Sequence, residues 1–329
     1  MTQKYLLVKG CAGLGNRIFS VLDALNYCIK NNRRLVIDWS DGQFGKKGED
    51  VFKDFFHIDD SCFYEGPLSR IYEITDCDPQ YWRRKISSSI YDIYQVGNPN
   101  FLLKNTPFLF FKNKFKRRKH SLWINKKLGR IKYGFLDVFD ENNMTFGGHL
   151  ENNLQPQLLI YADFNPINDS INAIRKIKLK KELEKEINDL ASKYHLSEKY
   201  VGLHIRYSDK KPLSKIDKII YHIENEYRDN PIFLATDNEK IEKMIKSHFK
   251  NVLTLQKDLP DPIEGRGIHM WGVDNLDEAY KSKMIKSSIM DMWLLSKCKT
   301  LFYQGNSSFS RISHLLHSNK NACHDWEKV

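Results

Sequence analysis

Hydrophobic residues in the first forty positions follow two different spacings. Positions 5–9 and 34–39 are short apolar runs, and each predicts a buried strand. Between them Ile18, Leu22, Leu25 and Ile29 recur at helical spacing, which predicts an amphipathic helix over 16–31. Strand, helix and strand in this order predict a βαβ unit. From about 40 to 165 aromatic, Gly, Pro and polar residues alternate, and this pattern predicts no definite strand pairing.

The strand–helix rhythm returns in the second half, after a Lys- and Glu-rich helical pattern over 171–196 that we expect to bridge two domains. Strands alternating with helices predict an α/β fold with a parallel sheet covered on both faces. We expect domains at 1–165 and 166–329. The predicted strands lie at 200–203, 231–235, 252–255 and 300–303, and the predicted helices at 216–227, 238–249, 277–297 and 307–318.

Composition narrows the class of protein. The chain has 329 residues, of which 41% are hydrophobic, enough for two packed domains. Its net charge of +11 favours anionic partners such as nucleic acid, phosphorylated small molecules or an anionic membrane. The six cysteines contain no CxxC pair, so they predict neither a zinc site nor a disulfide framework. No signal-peptide pattern and no apolar run of roughly 20 residues is present, so we expect a cytoplasmic protein.

A basic run extends from Lys112 to Lys119. Such a run is typical of a patch that binds lipid headgroups or nucleic acid. The alternative is a solvated loop with no partner, and we favour it. A peripheral contact with an anionic membrane stays open.

Ionisable residues follow the predicted strand at 200–203. His204, Arg206, Asp209 and Lys210 come at the carboxyl end of that strand, where ligands bind in open α/β folds. Arg206 can make a bidentate contact with a phosphate, which a lysine cannot reproduce. Alone, the stretch is equally typical of a strand that runs into a charged surface turn.

A glycine-rich turn joins the first strand to the first helix. It contains Gly13, Gly15, Asn16 and Arg17. Glycines allow close backbone approach, and a helix N-terminus offers free N–H groups to an anion. The pattern is neither a Walker A loop nor the GxGxxG fingerprint, so a tight turn without a ligand is an equal alternative.

Two further strands end in polar residues. Asp237 follows the strand at 231–235 and can accept two hydrogen bonds from a guanine edge, or it can cap the helix that begins at 238. Ser307, Ser308 and Phe309 open the last helix, where hydroxyls and N–H groups suit an anion, although a plain Ser cap is plausible.

Asp76 and Asp78 form a DxD tripeptide, which some sugar transferases use to hold a divalent metal. No clear strand precedes the tripeptide, and it is common by chance. We therefore expect no metal site.

Taken together, the motifs resemble the GDP-fucose-dependent α1,6-fucosyltransferases, the rhizobial nodulation and animal core types. The resemblance rests on the turn from Gly13 to Arg17, on the segment from His204 to Lys210, on Asp237, and on the stretch from Asp291 to Ser310. Order and spacing match over roughly 196–318 and more thinly over 4–40. The resemblance implies a GT-B-like architecture, in which two Rossmann-type domains face each other across a cleft and the second domain holds the donor.

The resemblance also implies residue roles. Arg206 would hold the β-phosphate, while His204 and Asp237 would read guanine. Ser307 and Ser308 would line the donor site. Gly13 and Gly15, with Asn16, Arg17 and Phe309, would complete it. Such enzymes invert the anomeric centre and need no metal.

The general base departs from the family pattern. The position that matches the core-type Glu is near Ser214. Asp209, Glu224, Asp38 or another residue of the first domain are the alternatives, because the chemistry needs a carboxylate or His near the acceptor hydroxyl.

The resemblance therefore predicts an inverting transferase that moves L-fucose from GDP-fucose to a hydroxyl of a bacterial surface or signalling glycan. The acceptor would bind on the first domain, where Trp39, Tyr81, Trp82 and Trp123 could stack on sugars. One alternative is a transferase for another nucleotide sugar. Another is a nucleic-acid-binding protein, although no known nucleic-acid-binding module is present.

Overall fold

The computed structural model describes residues 2–90, 92, 139–140, 145–146, 150, 154–163, 171–207, 212, 214–257 and 277–328. Asp209, Lys210, Trp123 and the run from Lys112 to Lys119 lie outside the described residues, so their predicted roles stay predictions. In the described ranges, no helix is long and apolar enough to cross a membrane.

The first sheet is built around the predicted βαβ unit. Strand β1 (Tyr5–Lys9) pairs in parallel with β2 (Arg34–Asp38) and β7 (Leu158–Asp163), and these strands are apolar because helices and loops cover both faces. β4 (Cys77–Asp78) adds to β7 in parallel, and β5 (Phe139–Asp140) and β6 (Thr145–Phe146) continue the sheet antiparallel. The strand order is β2-β1-β7-β6-β5.

Helix α1 (Leu14–Asn31) packs on this sheet with the predicted apolar face. Ile18, Leu22 and Leu25 are buried, whereas Ile29, near the end of the helix, is 46% exposed. Asn32 ends the helix in the left-handed conformation that suits a C-cap.

The second sheet is parallel throughout, as predicted for the repeating strand–helix pattern. Its order is β11-β10-β9-β12-β13. Every neighbouring pair in it is parallel. The sequence pattern did not predict the edge strand β13, because this strand has only three residues and all of them are half-buried. The strands are β9 (Val201–Ile205), β10 (Ile232–Thr236), β11 (Val252–Leu253), β12 (Thr300–Tyr303) and β13 (Cys323–Asp325).

The remaining described helices are short in the first half, and the last four helices of the second half lie close to their predicted positions. In the first half they are α2 (Phe52–Phe55) and α3 (Leu68–Tyr72). In the second half they are α4 (Ile171–Ile174), α5 (Lys181–Lys193), α6 (Leu196–Lys199), α7 (Ile216–Glu226), α8 (Glu239–His248), α9 (Glu278–Ser296) and α10 (Ser308–Leu316).

The continuous helical region predicted at 171–196 is wrong. Strand β8 (Ile177–Leu179) interrupts it and pairs antiparallel with β3 (Phe56–Ile58). Ile177 and Leu179 alternate with exposed Lys178, which is the period of a half-buried strand. The segment therefore returns to the first half before α5 leads to the second sheet. The predicted domain division at 165 is not tested by this pairing and stays a prediction.

One continuous hydrophobic core joins the two sheets. Buried residues of α1 and β1 belong to the same cluster as buried residues of α9, α10 and β12. Smaller clusters cover the outer face of each sheet. Helices α1 and α10 both begin at the carboxyl edge of their sheets, because each follows a parallel strand. Their starts therefore define where a ligand between the sheets would lie.

Candidate active site

Two neighbouring strands of the second sheet end in the predicted site residues. β9 and β10 are in register with His204 beside Ala235 and Ile205 beside Thr236. The next residues, Arg206 and Asp237, therefore leave the sheet side by side. Asp237 Oδ1 accepts a hydrogen bond of 2.7 Å from the backbone N of Tyr207, so this carboxylate links the two strand ends. It does not cap the following helix, because Asn238 does so through bonds from Lys240 N and Ile241 N.

His204 is held as a neutral imidazole. It is 6% exposed, and burial, followed by the charges of Arg206 and Lys257, lowers its pKa to about 3. Its Nδ1 lies 2.8 Å from Ser310 Oγ, which accepts a bond of 2.8 Å from Gln304 N. The buried hydroxyl hydrogen of Ser310 is satisfied if it is donated to Nδ1. We therefore assign the tautomer with hydrogen on Nε2, which makes that nitrogen a donor.

Arg206 is anchored through its backbone. Its N–H donates to Gln304 Oε1 over 2.8 Å, and Gln304 is completely buried at the end of β12. The Arg206 side chain is half-buried, and its charge acts on His204. A guanidinium at this edge is suited to a diphosphate.

The start of α10 completes the edge. Phe309 stacks on the His204 ring with centroids 4.9 Å apart and planes inclined by 21°. Ser308 is half-buried, but the Ser307 hydroxyl is fully buried and has no hydrogen-bond partner. Of the two predicted serines, Ser308 is thus the one placed to meet a ligand at the surface.

The two halves touch at Gly15. A Cβ at this position would lie 2.5 Å from Phe309 N and 2.5 Å from the carbonyl carbon of Ser308. The glycine therefore allows close approach between the starts of α1 and α10. It brings the turn containing Gly13 and Asn16, both half-buried, to the edge that carries His204 and Phe309.

Arg17 does not face that edge. Its Nη1 and Nη2 bind the two carboxylate oxygens of Asp41 over 3.0 and 2.5 Å, Nη2 also bonds Gln43, and Nε donates to Ala12 O over 3.0 Å. The side chain is 1% exposed and lies over the Phe44 ring. The predicted donor contact through Arg17 is therefore not supported by its position. It organises the loop after β2.

Solved structures share the fold that carries this site. The fucosyltransferase NodZ from Bradyrhizobium is 16% identical, with a TM-score of 0.58, over 96% of this chain and 94% of that chain. A NodZ alpha-1,6-fucosyltransferase soaked with GDP-fucose is 17% identical, with a TM-score of 0.56, over 95% and 93%. The chain has the NodZ fold. The resemblance and the GT-B-like fold class expected from the motifs are thereby confirmed at the level of fold. No protein-family model and no curated protein matches the sequence.

Within the NodZ fold, Asp38 is not placed to act as a base. The register puts it beside Lys9, and their side chains form an ion pair of 2.5 Å that is almost inaccessible. Tyr72 OH and Ser40 also donate to it. Burial alone would raise its pKa, but the Lys9 charge and these hydrogen bonds hold the pKa below its usual value.

Glu224 is equally unsuited to be the base. It lies in the last turn of α7, and this helix follows β9 and runs back from the carboxyl edge to the opposite edge of the sheet. Its carboxylate meets His248 Nδ1 over 3.1 Å at that opposite edge. The alternative that Glu224 is the base is therefore not supported by its position.

The DxD tripeptide also lies at the wrong edge. Cys77 and Asp78 pair with Leu158 and Leu159 at the amino end of β7, whereas the glycine turn follows the carboxyl end of β1. Asp76 Oδ2 accepts from Gln157 N over 2.8 Å. Among the residues described, no group of three His, Cys, Asp or Glu could hold a metal ion.

Two of the aromatic residues proposed for sugar stacking are core residues. Trp39 is 1% exposed and Trp82 is 0% exposed, so neither ring can meet an acceptor. The side chain of Tyr81 is not among the described ones, and Trp123 lies outside the described residues.

The sequence motifs include Asp291 and Ser310 but assign them no role, and they do not mark Gln304 or Lys257. Gln304 is the polar residue that follows β12, the same signal that marked His204 and Asp237. Lys257 forms an ion pair with fully buried Asp291, and its charge contributes to the low pKa of His204. Burial raises the pKa of Asp291 although Lys257 opposes this. No local pattern connects these two distant positions.

Asp50 makes the stability of the folded protein depend on pH. Its Oδ1 accepts from Trp39 N and Phe52 N, but its buried Oδ2 has no partner, and burial raises the pKa to about 6. The native state thus binds this proton more tightly than the unfolded chain. The stability that Asp50 contributes is present below the unfolded pKa of 3.8 and is lost as pH rises through about 6.

We therefore expect Asp50→Asn, which keeps an acceptor oxygen without the charge, to gain stability relative to wild type as pH rises from 4 to 7. The gain should reach up to about 3 kcal/mol. Urea unfolding across this range measures it, with Asp229→Asn at an exposed carboxylate as the control. A difference between Asp50→Asn and wild type that stays constant with pH would contradict the assignment.

Proposed function

We propose that this chain is a fucosyltransferase that moves L-fucose from GDP-fucose to a hydroxyl of a glycan, with inversion and without a metal. The single observation that carries the proposal is the convergence of His204, Arg206, Asp237 and Ser308 with Gly15 at one edge of the NodZ fold. The sequence motifs mark the same five residues.

The donor contacts follow from the hydrogen-bonding character of each group. The Nε2–H of His204 can donate to an acceptor of guanine, and the Asp237 carboxylate can accept from guanine N1–H and the exocyclic amino group. Arg206 would hold the β-phosphate as a bidentate donor. Ser308 and the first N–H groups of α10 would meet the same diphosphate, with Gly13 and Asn16 approaching from the first half.

The chemistry needs stabilisation of the departing GDP. Negative charge develops on the β-phosphate, and a guanidinium with helix N–H groups can stabilise it without a metal. Inversion is a single displacement, so it needs one base and no covalent intermediate with the protein. For the base we retain Asp209, with Lys210 beside it, because the positions of Asp38 and Glu224 argue against those carboxylates.

The acceptor would lie on the first-half side, residues 1–165. The donor candidates concentrate between 201 and 310, which leaves the facing side for the glycan, and ligand sites favour such junctions. We assign the enzyme to a bacterial cytoplasm. All six cysteines lie in the described ranges and none forms a disulfide, which supports a reducing compartment.

GDP and GDP-fucose should raise the unfolding temperature, whereas UDP and ADP should raise it much less. A ligand that binds only the folded state adds about 2.7 kcal/mol to the free energy of unfolding when its concentration is 100 times its Kd. Asp237 accounts for the selectivity, since neither uracil nor adenine offers its pair of donors. The GDP shift should be unchanged by EDTA, because the proposed contacts involve no metal.

A thermal-shift series with each nucleotide, with and without EDTA, is the measurement. Asp237→Asn should remove the preference for GDP, while Asp229→Asn should keep it. Equal shifts with UDP would reject the guanine assignment and favour another nucleotide sugar. A GDP shift that EDTA abolishes and Mn²⁺ restores would reject the metal-free mechanism. A shift produced only by oligonucleotides would favour the nucleic-acid alternative.

A further inference from the structure

The segment 323–328 lies directly behind the candidate active site. β13 pairs with β12, with Tyr303 beside Asp325. The buried Trp326 ring donates from Nε1 to His204 O over 3.0 Å. Asp325 Oδ1 accepts from Gly305 N over 3.0 Å. This segment therefore supports the ends of β9 and β12 from the side opposite the proposed donor contacts.

Glu327 begins a chain of hydrogen bonds that ends at Arg206. Its Oε2 accepts from Asn306 N over 3.0 Å, and its Oε1 accepts from Asn306 Nδ2 over 2.9 Å. Gln304 Nε2 then donates to Asn306 Oδ1 over 3.1 Å and, at 3.5 Å, directly to Glu327 Oε1. Gln304 Oε1 finally accepts from Arg206 N over 2.8 Å. We call these four residues the Glu327 relay.

The carboxylate sets the direction of this relay. Each of the two amides offers a donor at one end and an acceptor at the other, so each could be reversed. A carboxylate can only accept, and Glu327 therefore turns the Asn306 NH₂ group toward itself. That orientation presents Asn306 Oδ1 to Gln304, whose own carbonyl oxygen then faces Arg206.

The Arg206 N–H depends on Gln304 Oε1 because the backbone pairing of β9 with β12 ends before Arg206. The pairing of β9 with β12 stops at Leu203 beside Phe302. Beyond that point the completely buried Gln304 side chain continues the contact between the strands. The half-buried Arg206 N–H would lose its hydrogen bond if it faced an NH₂ group, and the backbone from which the Arg206 side chain extends would move.

We infer that Glu327 is a positioning residue that fixes Arg206 through the Glu327 relay. Its effect on catalysis rests on the proposed function, whereas its effect on the Arg206 backbone does not. Glu327 itself touches no reacting atom in this scheme. Its contribution is to hold the guanidinium where the departing diphosphate develops charge.

A charge-conserving exchange tests the direction of the relay. In Glu327→Gln an NH₂ group opposes donors of Asn306, and in Gln304→Glu two carboxylates compete for the one Asn306 NH₂. In the double variant Gln304→Glu/Glu327→Gln, Asn306 can reverse and every group finds a partner again. The acceptor for Arg206 N is then retained.

The exchange rate of the Arg206 backbone amide, within the segment 201–207, reports whether its hydrogen bond to Gln304 is intact. This measurement needs no substrate. Exchange should be about tenfold faster or more in each single variant and should return close to the wild-type rate in the double variant. Glu327→Asp keeps a carboxylate and therefore the direction of the relay, but its side chain is shorter. Its exchange rate should lie between those of the wild type and the single variants. Glu198→Gln, at an exposed carboxylate on α6, is the matched control and should change nothing.

Transfer kinetics test the consequence. Each single variant should lose about tenfold in kcat with the KM for GDP-fucose within about twofold, and the double variant should recover most of kcat. A merely structural role would lower the unfolding temperature and reduce kcat in the double variant as well. Unchanged exchange in both single variants, or a double variant no better than the worse single one, overturns the inference.

If the wild type transfers no fucose, the proposed function fails, and the exchange series alone decides whether Glu327 positions Arg206.

Discussion

Arg206→Ala should reduce fucose transfer by about 10²–10³, the loss seen when one preorganised oxyanion donor is removed. The reason is that the guanidinium would stabilise charge that develops on the departing diphosphate. Such an interaction is stronger in the transition state than in the bound substrate, so kcat should fall more than the GDP-fucose KM rises. Initial rates with GDP-fucose and a glycan acceptor measure both quantities.

Arg206→Lys separates charge from geometry. Lysine keeps the positive charge but not the two parallel N–H groups, so most of the loss should remain. Arg228→Ala, an exposed arginine that follows α7 at the opposite edge of the sheet, is the control and should keep wild-type rates. An Arg206→Ala variant that unfolds at the wild-type temperature and turns over at near wild-type rates would remove Arg206 from the mechanism.

The edge of the second sheet could be predicted because its signals are local. An apolar run followed at once by His204 and Arg206, and a second run followed by Asp237, mark strands whose carboxyl ends lie together. The parallel arrangement of the sheet then makes the residues neighbours, as the pairing of β9 with β10 confirms. This step needs only the period of a strand and the rule for ligand positions in open α/β folds.

Side-chain surroundings could not be predicted in the same way. Arg17 and Asp38 sit next to glycines and strand ends as site residues do, yet Asp41 and Lys9 bind them inside the first half. The partners are 24 and 29 positions away, and no short motif relates them. Gln304 follows a strand as His204 and Asp237 do, but its bond with Arg206, 98 positions earlier, depends on the fold and is not visible in a short motif.

The sequence pattern did not predict two short strands, β8 and β13, for a different reason. Strand β8 has three residues inside a Lys- and Glu-rich segment, so the helical charge pattern on either side obscured its alternation. β13 likewise has three half-buried residues. Their pairing is decided by β3 and β12, which supply the hydrogen-bond partners, and not by their own propensity.

Gly15→Ala should destabilise the protein and weaken GDP binding together. Alanine in place of glycine within a helix ordinarily gains up to about 1 kcal/mol. Here the added Cβ would lie 2.5 Å from Phe309 N and 2.8 Å from Ser308 O, which are backbone atoms and cannot rotate away. The starts of α1 and α10 would have to separate, and overpacking of this kind costs about 1–3 kcal/mol. The collision should therefore outweigh the gain in helix propensity.

The same separation should disturb the donor site, because Phe309 stacks on His204. We expect Gly15→Ala to unfold at lower urea concentration and to lose most of the GDP-induced rise in unfolding temperature. Gly66→Ala is the matched control, since its Cβ would meet the hydroxyl and two ring carbons of Tyr64, a side chain that can rotate away as backbone atoms cannot. A Gly15→Ala protein that is as stable as wild type and binds GDP equally well would show that close contact between α1 and α10 is not required. The turn from Gly13 to Asn16 would then have to contribute through the nucleotide alone.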